Sequence, residues 1–252
     1  MTQDTLTFIG TATVLLEING KRILTDPVFF HGAEKVHMGW GLFSKRKIKP
    51  ALSIADLPPL DLILVSHTHN DHWDKTAQKN LDKSIPVITT TRDVSKIKSQ
   101  GFSDIRGLEV GSSIDIFGIT IEALPAQHGP LLMTPFTGKV IGFGLTYDDK
   151  RLWISGDTIG IKSLKQALHR FAPQVGIMYF GAVRYIARLT FNGKDAVSVV
   201  NPLESLKKGY AVHYDDWTHF KTSQEDIEAD FQAMDREFDL IFPPRGEKIS
   251  LW

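Results

Sequence analysis

Cysteine is absent from the 252 residues. That excludes a disulfide framework and any thiolate ligand, so a bound metal must rely on nitrogen and oxygen donors. An excess of charge of either sign is absent too: Lys plus Arg and Asp plus Glu each number 29, a formal net charge of zero. No global field therefore draws nucleic acid or an anionic membrane, and nucleic acid is not an expected partner. No apolar run approaches the roughly 20 residues of a membrane span. The opening MTQDTLTFIG lacks a basic segment followed by an apolar core, so it does not read as a secretory signal. A soluble cytoplasmic protein is the expectation. Short-period repeats and low-complexity linkers are missing as well.

What is present is ordinary for a globular chain, with 42% hydrophobic and 23% charged residues. The length suits one large domain or two small ones. Strand-like runs fall at 5–9, 13–18 and 21–25, and Asn19-Gly20 between the last two is a hairpin signal. The third run leads into Asp26-Pro27. Asp26 fits two roles there, a turn residue or a carboxylate that orients a ligand histidine. Residues 29–50 follow neither the strand nor the helix period. They read either as a surface excursion with Lys45, Arg46, Lys47 and Lys49 in solvent, or as a lid with Trp40, Leu42 and Phe43 as apolar contacts. Helical patterns are expected over 74–82, 92–100 and 160–171, near Lys194 until Pro202 interrupts, and from a Thr222-to-Glu225 capping box to about Phe238. Further strands fall at 87–91, 105–108, 113–117, 119–124, 140–147, 151–155, 175–180, 210–213 and 249–252. Neighbouring strands in both halves suggest a mixed α/β fold in which sheet packs on sheet with helices outside.

The stretch most charged with chemistry is 62–74, LILVSHTHNDHWD. A short apolar strand stops at Ser66 and is followed by His67, His69, Asp71 and His72. Ligand-type side chains gathered at a strand end are how a sheet edge presents a metal site. Three more candidates come after later strands: His128, Asp157 and His213. Five of the nine histidines thus sit at strand ends. His31, His37 and His169 read as surface residues.

HTHNDHWD resembles the HxHxDH signature of the metallo-β-lactamase superfamily. His128, the GDT at 156–158 and His213 come in the order of that family's later motifs, and the resemblance runs from GTATVLLEINGKRILTDPVF to IFPPRGEKISL. PAQH at 125–128 and HYDDWTHF at 213–220 resemble the branch containing L-ascorbate-6-phosphate lactonase and N-acylphosphatidylethanolamine-hydrolysing phospholipase D. The resemblance implies a four-layer αββα sandwich: one domain over 1–252, of two similar halves meeting near 125–140, with the site along one edge of the sheets. It implies two divalent ions, zinc first, with manganese, iron(II) and nickel as alternatives. His67, His69 and His128 would hold one ion, Asp71, His72 and His213 the other, and Asp157 would bridge.

A hydroxide between two such ions is a nucleophile at neutral pH, which implies hydrolysis of an ester, lactone or phosphodiester of a small metabolite. Asp71 and Asp157 would be the catalytic carboxylates. The family's di-iron branch carries glutamate where this chain has His69, which favours hydrolysis over redox chemistry. Arg184, Tyr185, Trp217 and His219 lie just after strand ends and are candidates to line the substrate pocket, with Asp26 behind the ligands. Thr11 stands where phospholipase-like members often carry histidine, and Gly129 to Met133 is apolar and flexible where they carry an aromatic and a polar group. The alternatives are a phospholipase-type hydrolase that contacts a membrane through Trp40, Leu42, Phe43 and the basic run, a nuclease, and a non-catalytic metal-binding protein.

Overall fold

Each strand of the chain that reads as a continuous apolar run is interior to a sheet, and each that alternates lies nearer an edge. A computed structural model describes residues 3–32, 34–39 and 42–252. The first strands are β1 (Thr5–Gly10), β2 (Thr13–Ile18), β3 (Lys21–Thr25), β4 (Val36–Gly39), β5 (Leu42–Ser44), β6 (Leu62–Leu64), β7 (Val87–Thr90) and β8 (Ile105–Leu108). They are followed by β9 (Ser113–Ile116), β10 (Ile119–Pro125), β11 (Ile141–Tyr147), β12 (Lys150–Ile154), β13 (Val175–Tyr179), β14 (Lys208–Val212), β15 (Asp239–Ile241) and β16 (Lys248–Ser250). The helices are α1 (Lys75–Asn80), α2 (Val94–Ser99), α3 (Thr134–Thr137), α4 (Lys162–Phe171), α5 (Gly193–Val200) and α6 (Gln224–Gln232). None of the described helices is long and apolar enough to cross a membrane.

The chain divides into two compact units. The first comprises Met1–Glu109, Asp216–Thr218 and Pro243–Trp252. Its seven-stranded sheet has the order β16-β1-β2-β3-β6-β7-β8. The β2–β3 hairpin turns at Asn19-Gly20, both at positive φ, as the sequence predicts. From β3 to β8 all pairs are parallel. β6 lies between two parallel neighbours and is buried on both faces, which is why LILV shows no alternation. Trp73, Ala77, Ile97 and Phe102 cover one face of that sheet around Ile63 and Val87.

The second unit comprises Val110–Asp215 and His219–Phe242, with sheet order β15-β14-β13-β12-β11-β10-β9. β9 to β12 form an antiparallel meander, so 113–154 is one continuous piece of sheet. The two units divide between Glu109 and Val110. Leu164, Leu168 and Phe171 of α4, Val199 of α5 and Ile227 of α6 pack with Trp153 and Met178.

Four local readings are corrected. Residues 36–39 and 42–44 pair as an antiparallel ribbon, β4 with β5; strands of four and three residues are too short to show a period. Trp40 lies outside the described residues, as does the side chain of Leu42. Arg46 is not solvated: its side chain is buried in an ion pair with Asp216 at 3.2 Å. The capping box is one residue later, with Ser223 accepting from the Asp226 N–H and Asp226 from the Ser223 N–H. That helix ends at Gln232, since Arg236 instead donates to the carbonyls of Val200, Asn201, Leu203 and Leu206.

Candidate metal centre

In the first unit the histidine cluster begins where β6 runs out of parallel partners. Asp26, at the exit of β3, is buried at φ +35 and orders the residues that leave β6. One of its oxygens accepts the Ser66 backbone N–H at 2.6 Å. The other accepts the Ser66 hydroxyl at 2.8 Å and faces His72 Nδ1 at 3.1 Å. The Ser66 hydroxyl has one proton and it goes to Asp26, so its 3.1 Å contact with His67 Nδ1 must be a bond donated by the imidazole. Both rings thus carry their proton on Nδ1, which leaves Nε2 with a lone pair, the form a metal ligand requires. Asp26 thus contacts the His72 ring directly and the His67 ring through Ser66.

The three imidazoles are close. His67 stands 4.5 Å from His69 and 4.2 Å from His72, centroid to centroid. His67 Nε2 and His69 Nδ1 are 3.0 Å apart. Two nitrogens each about 2.0–2.1 Å from one zinc ion stand roughly 3.0–3.5 Å from each other, so this spacing suits a shared ion. Asp71 is buried beside them in sequence. The turn itself is tight, with His72 and Trp73 both donating to the His69 carbonyl.

Sequence reasoning missed a support for this turn. The Thr68 hydroxyl donates to Asp93 at 2.8 Å, and Lys96 donates to the Thr68 carbonyl and hydroxyl at 3.0 and 2.9 Å. Burial lowers the Lys96 pKa and Asp93 opposes the shift. The available signal was an acidic residue just past the neighbouring parallel strand β7. A second support comes from the ribbon, since Asn70 donates to the His37 carbonyl at 2.7 Å.

In the second unit His128, Asp157 and His213 come together. Gln127 pairs through its backbone with Thr158 and Ile159, which brings the loop after β10 against the GDT turn after β12. His128 Nδ1 donates to the Leu189 carbonyl at 3.0 Å, so its Nε2 carries the lone pair, and that atom lies 3.6 Å from Asp157 Oδ2. The other oxygen of Asp157 lies 3.6 Å from His213 Nδ1. One carboxylate therefore presents each oxygen to a different imidazole. His213 adopts φ +62 at the end of β14, a left-handed conformation that non-glycine residues take only when their surroundings fix it. Tyr179 stacks on its ring at 5.7 Å and Phe220 lies at 4.5 Å. Gly181 makes room, since a Cβ there would come within 3.1 Å of the His213 carbonyl oxygen.

The remaining candidates divide. Trp217 is fully buried and its indole N–H donates to the Thr11 hydroxyl at 3.0 Å. Thr11 donates in turn to Asp216 from both its backbone N–H and its hydroxyl. Trp217 is thus a packing residue of the first unit, and it has no exposed surface with which to line a pocket. His219 is buried against Phe220, itself against His213. Arg184 and Tyr185 are exposed on the turn that precedes Leu189. His31, His37 and His169 are exposed, as expected of surface residues. Nitrogen and carboxylate donors, nearly all buried, with imidazole protons committed to oxygen acceptors, make a set that fits a divalent ion.

A profile described as beta-lactamase superfamily domain matches residues 21–214. The chain belongs to the metallo-β-lactamase superfamily. Its two seven-stranded sheets and its helices are the mixed α/β make-up of that αββα fold. Among curated proteins it is 23% identical to the UPF0173 protein YddR of Bacillus subtilis, over 97% of this chain and 99% of that one. It is 21% identical to a UPF0173 metal-dependent hydrolase of Methanopyrus kandleri, over 97% and 99%. It is 31% identical to N-acyl-phosphatidylethanolamine-hydrolyzing phospholipase D 1 of Caenorhabditis elegans, over 60% of this chain and 46% of that protein. Among solved structures, a possible metal-dependent hydrolase from Veillonella parvula superposes with a TM-score of 0.88 at 29% identity, covering 99% and 100%. An isothiocyanate hydrolase from Delia radicum gut bacteria does so with 0.84 at 25%, covering 98% and 99%.

Proposed function

We propose that the protein is a metal-dependent hydrolase with a centre for two divalent ions, zinc first, built from the seven residues above. On this reading His67, His69 and His128 would hold one ion and Asp71, His72 and His213 the other. The observation that carries the reading is that Nδ1 of three buried histidines faces an oxygen atom. His67, His72 and His128 each commit Nδ1–H to an oxygen and so keep Nε2 as a donor. When bound, such ions supply Lewis acidity and a water acidic enough to be nucleophilic near neutral pH.

The chain's own residues have the remaining tasks. Asp157, with one oxygen toward His128 and the other toward His213, would be the carboxylate that serves both ions. Asp71, which is buried, would accept a hydrogen bond from the attacking water and fix its direction. Asp26 and Leu189 hold imidazole protons on Nδ1. The bond broken is an ester, lactone or phosphodiester bond of a small metabolite, and the similarity to an isothiocyanate hydrolase adds the isothiocyanate carbon to the electrophiles worth testing. A second reading, hydrolysis at a membrane surface, is favoured by the similarity to the phospholipase and by exposed Phe43 beside Lys45, Lys47 and Lys49.

Elemental analysis of protein purified without added metal should give close to two ions per chain. Zinc-loaded protein should hydrolyse bis(p-nitrophenyl) phosphate or a simple lactone. Asp157→Asn should lower kcat/KM at least about 100-fold and reduce metal content while circular dichroism is retained. Unchanged turnover in both Asp157→Asn and His69→Ala would overturn the assignment.

A further inference from the structure

Two loops of the second unit carry apolar side chains into solvent beside His128. Of nine exposed large hydrophobic residues among those described, five are here: Leu131, Leu132 and Phe136 on one loop, Tyr185 and Ile186 on the other. Leu132 is 86% exposed and Ile186 78%. Such clustering is unusual for side chains with no task, since a contiguous exposed apolar patch favours association.

The loops are held together, and both are held to the candidate ligand. His128 Nδ1 donates to the Leu189 carbonyl. The backbone at Gly129 passes so close to the Leu189 side chain that a Cβ there would lie 2.6 Å from its Cδ2. Each loop is also internally fastened. Leu189 N–H donates to the Val183 carbonyl at 2.7 Å, and Arg188 pairs with Asp195 of α5 at 2.7 Å. On the other loop Met133 N–H donates to the Pro130 carbonyl at 2.7 Å, and Gln127 donates to the Gly129 carbonyl at 2.8 Å. The exposed side chains contribute to none of these bonds. They are presented by a preformed frame.

We infer that this rim receives an apolar group, an alkyl chain or an aryl ring, of the molecule hydrolysed at the centre. The inference rests on the hydrolase reading above and names its substrate class. Residues 131–137 contain no Lys or Arg, and the other loop carries only Arg184 and Arg188, the latter paired with Asp195, where a surface seeking anionic headgroups would carry a basic cluster. Five side chains fall well short of the roughly 20–30 residues a side that a stable dimer uses. A single apolar substituent matches the scale, and its position beside His128 is continuous with the proposed centre.

The test uses zinc-loaded protein and p-nitrophenyl acetate, butyrate and hexanoate. A methylene fully removed from water is worth up to about 4-fold. kcat/KM should therefore rise at least about 10-fold from acetate to hexanoate. The double variant Leu132→Ser with Ile186→Ser should reduce that ratio to about 3-fold or less, and Val110→Ser, an exposed apolar residue elsewhere, should keep it. Calorimetry of hexanoate against acetate binding gives a readout independent of turnover: hexanoate should bind tighter to the parent protein and lose its advantage in the double variant. No hexanoate preference in calorimetry would overturn the rim. Preference without turnover of any ester would uphold the rim and count against ester hydrolysis. A flat ester series together with binding to phosphatidylcholine vesicles, or with dimerisation, that the double variant abolishes would also overturn it and assign the patch to a membrane or to a second copy.

Discussion

Asp26 governs two histidines at once, one directly and one through Ser66. Its second oxygen accepts from both the Ser66 hydroxyl and His72 Nδ1. Asp26→Asn puts an N–H₂ or a single acceptor where two donors converge, and the two rings lose their shared reason to keep the proton on Nδ1. Zinc affinity of Asp26→Asn, measured by competition with a chromophoric chelator, should fall roughly 10- to 100-fold. Long-range nitrogen NMR of the metal-free parent should show His67 and His72 as the Nδ1–H tautomer, and the variant should show a mixture. An unaltered affinity would mean that Ser66 and the tight turn at His69 suffice without the carboxylate. The same logic explains why Asp26 could not be assigned from sequence. A turn aspartate and an orienting aspartate are spelled alike, and only the position of His72, 46 residues on, separates them.

At the scale of elements, the segment after the β4–β5 ribbon is fixed by a buried charge. Arg46 donates to Asp216 and to the carbonyls of Val28, Phe30 and Ile48. Burial pushes its pKa below the ordinary arginine value and Asp216 opposes the shift. Removing one partner strands the other, so Asp216→Ala should cost about 3–5 kcal/mol, read as a lower urea midpoint at unchanged slope. A loss below about 1 kcal/mol would show that water and the carbonyls of Val28, Phe30 and Ile48 satisfy Arg46 without the carboxylate, although Arg245, 3.6 Å from Asp216, loses that contact too.

This element shows where sequence reading stops. The cluster His67 to His72 was legible because its parts are contiguous and come directly after a strand of fixed apolar character. β1 to β3 and the Asn19-Gly20 turn were legible for the same local reason. Arg46 read as solvated because its counterion lies 170 positions away. Trp217 read as a pocket residue because its partner Thr11 lies 206 away. The Leu189 carbonyl that orients His128 has no side-chain signature at all.

At the scale of the whole molecule, the proposed donors run from His67 to His213. A chain without fixed structure cannot present them together, so ions that bind the native protein should stabilise it by mass action. Free zinc at about 100 times Kd adds about 2.7 kcal/mol. For a chain of this size that corresponds to a Tm about 5–10 °C higher than after chelation. Scanning calorimetry before and after dialysis against a chelator checks this, and coincident transitions would argue that the donors hold no ion. The first unit has a further property. Its sheet is closed at one edge by β16, whose Ser250 pairs with Thr5, and Leu251 and Trp252 both donate to Asp4. That edge strand is made after every other element described, so during synthesis the sheet carrying the histidine cluster waits with the outer edge of β1 uncovered. Order of manufacture and order of assembly are therefore opposed in this unit. The second unit's sheet, whose last strand β15 precedes β16, is free to finish first, and a ribosome stalled before residue 248 should leave the first unit protease-sensitive and the second protected.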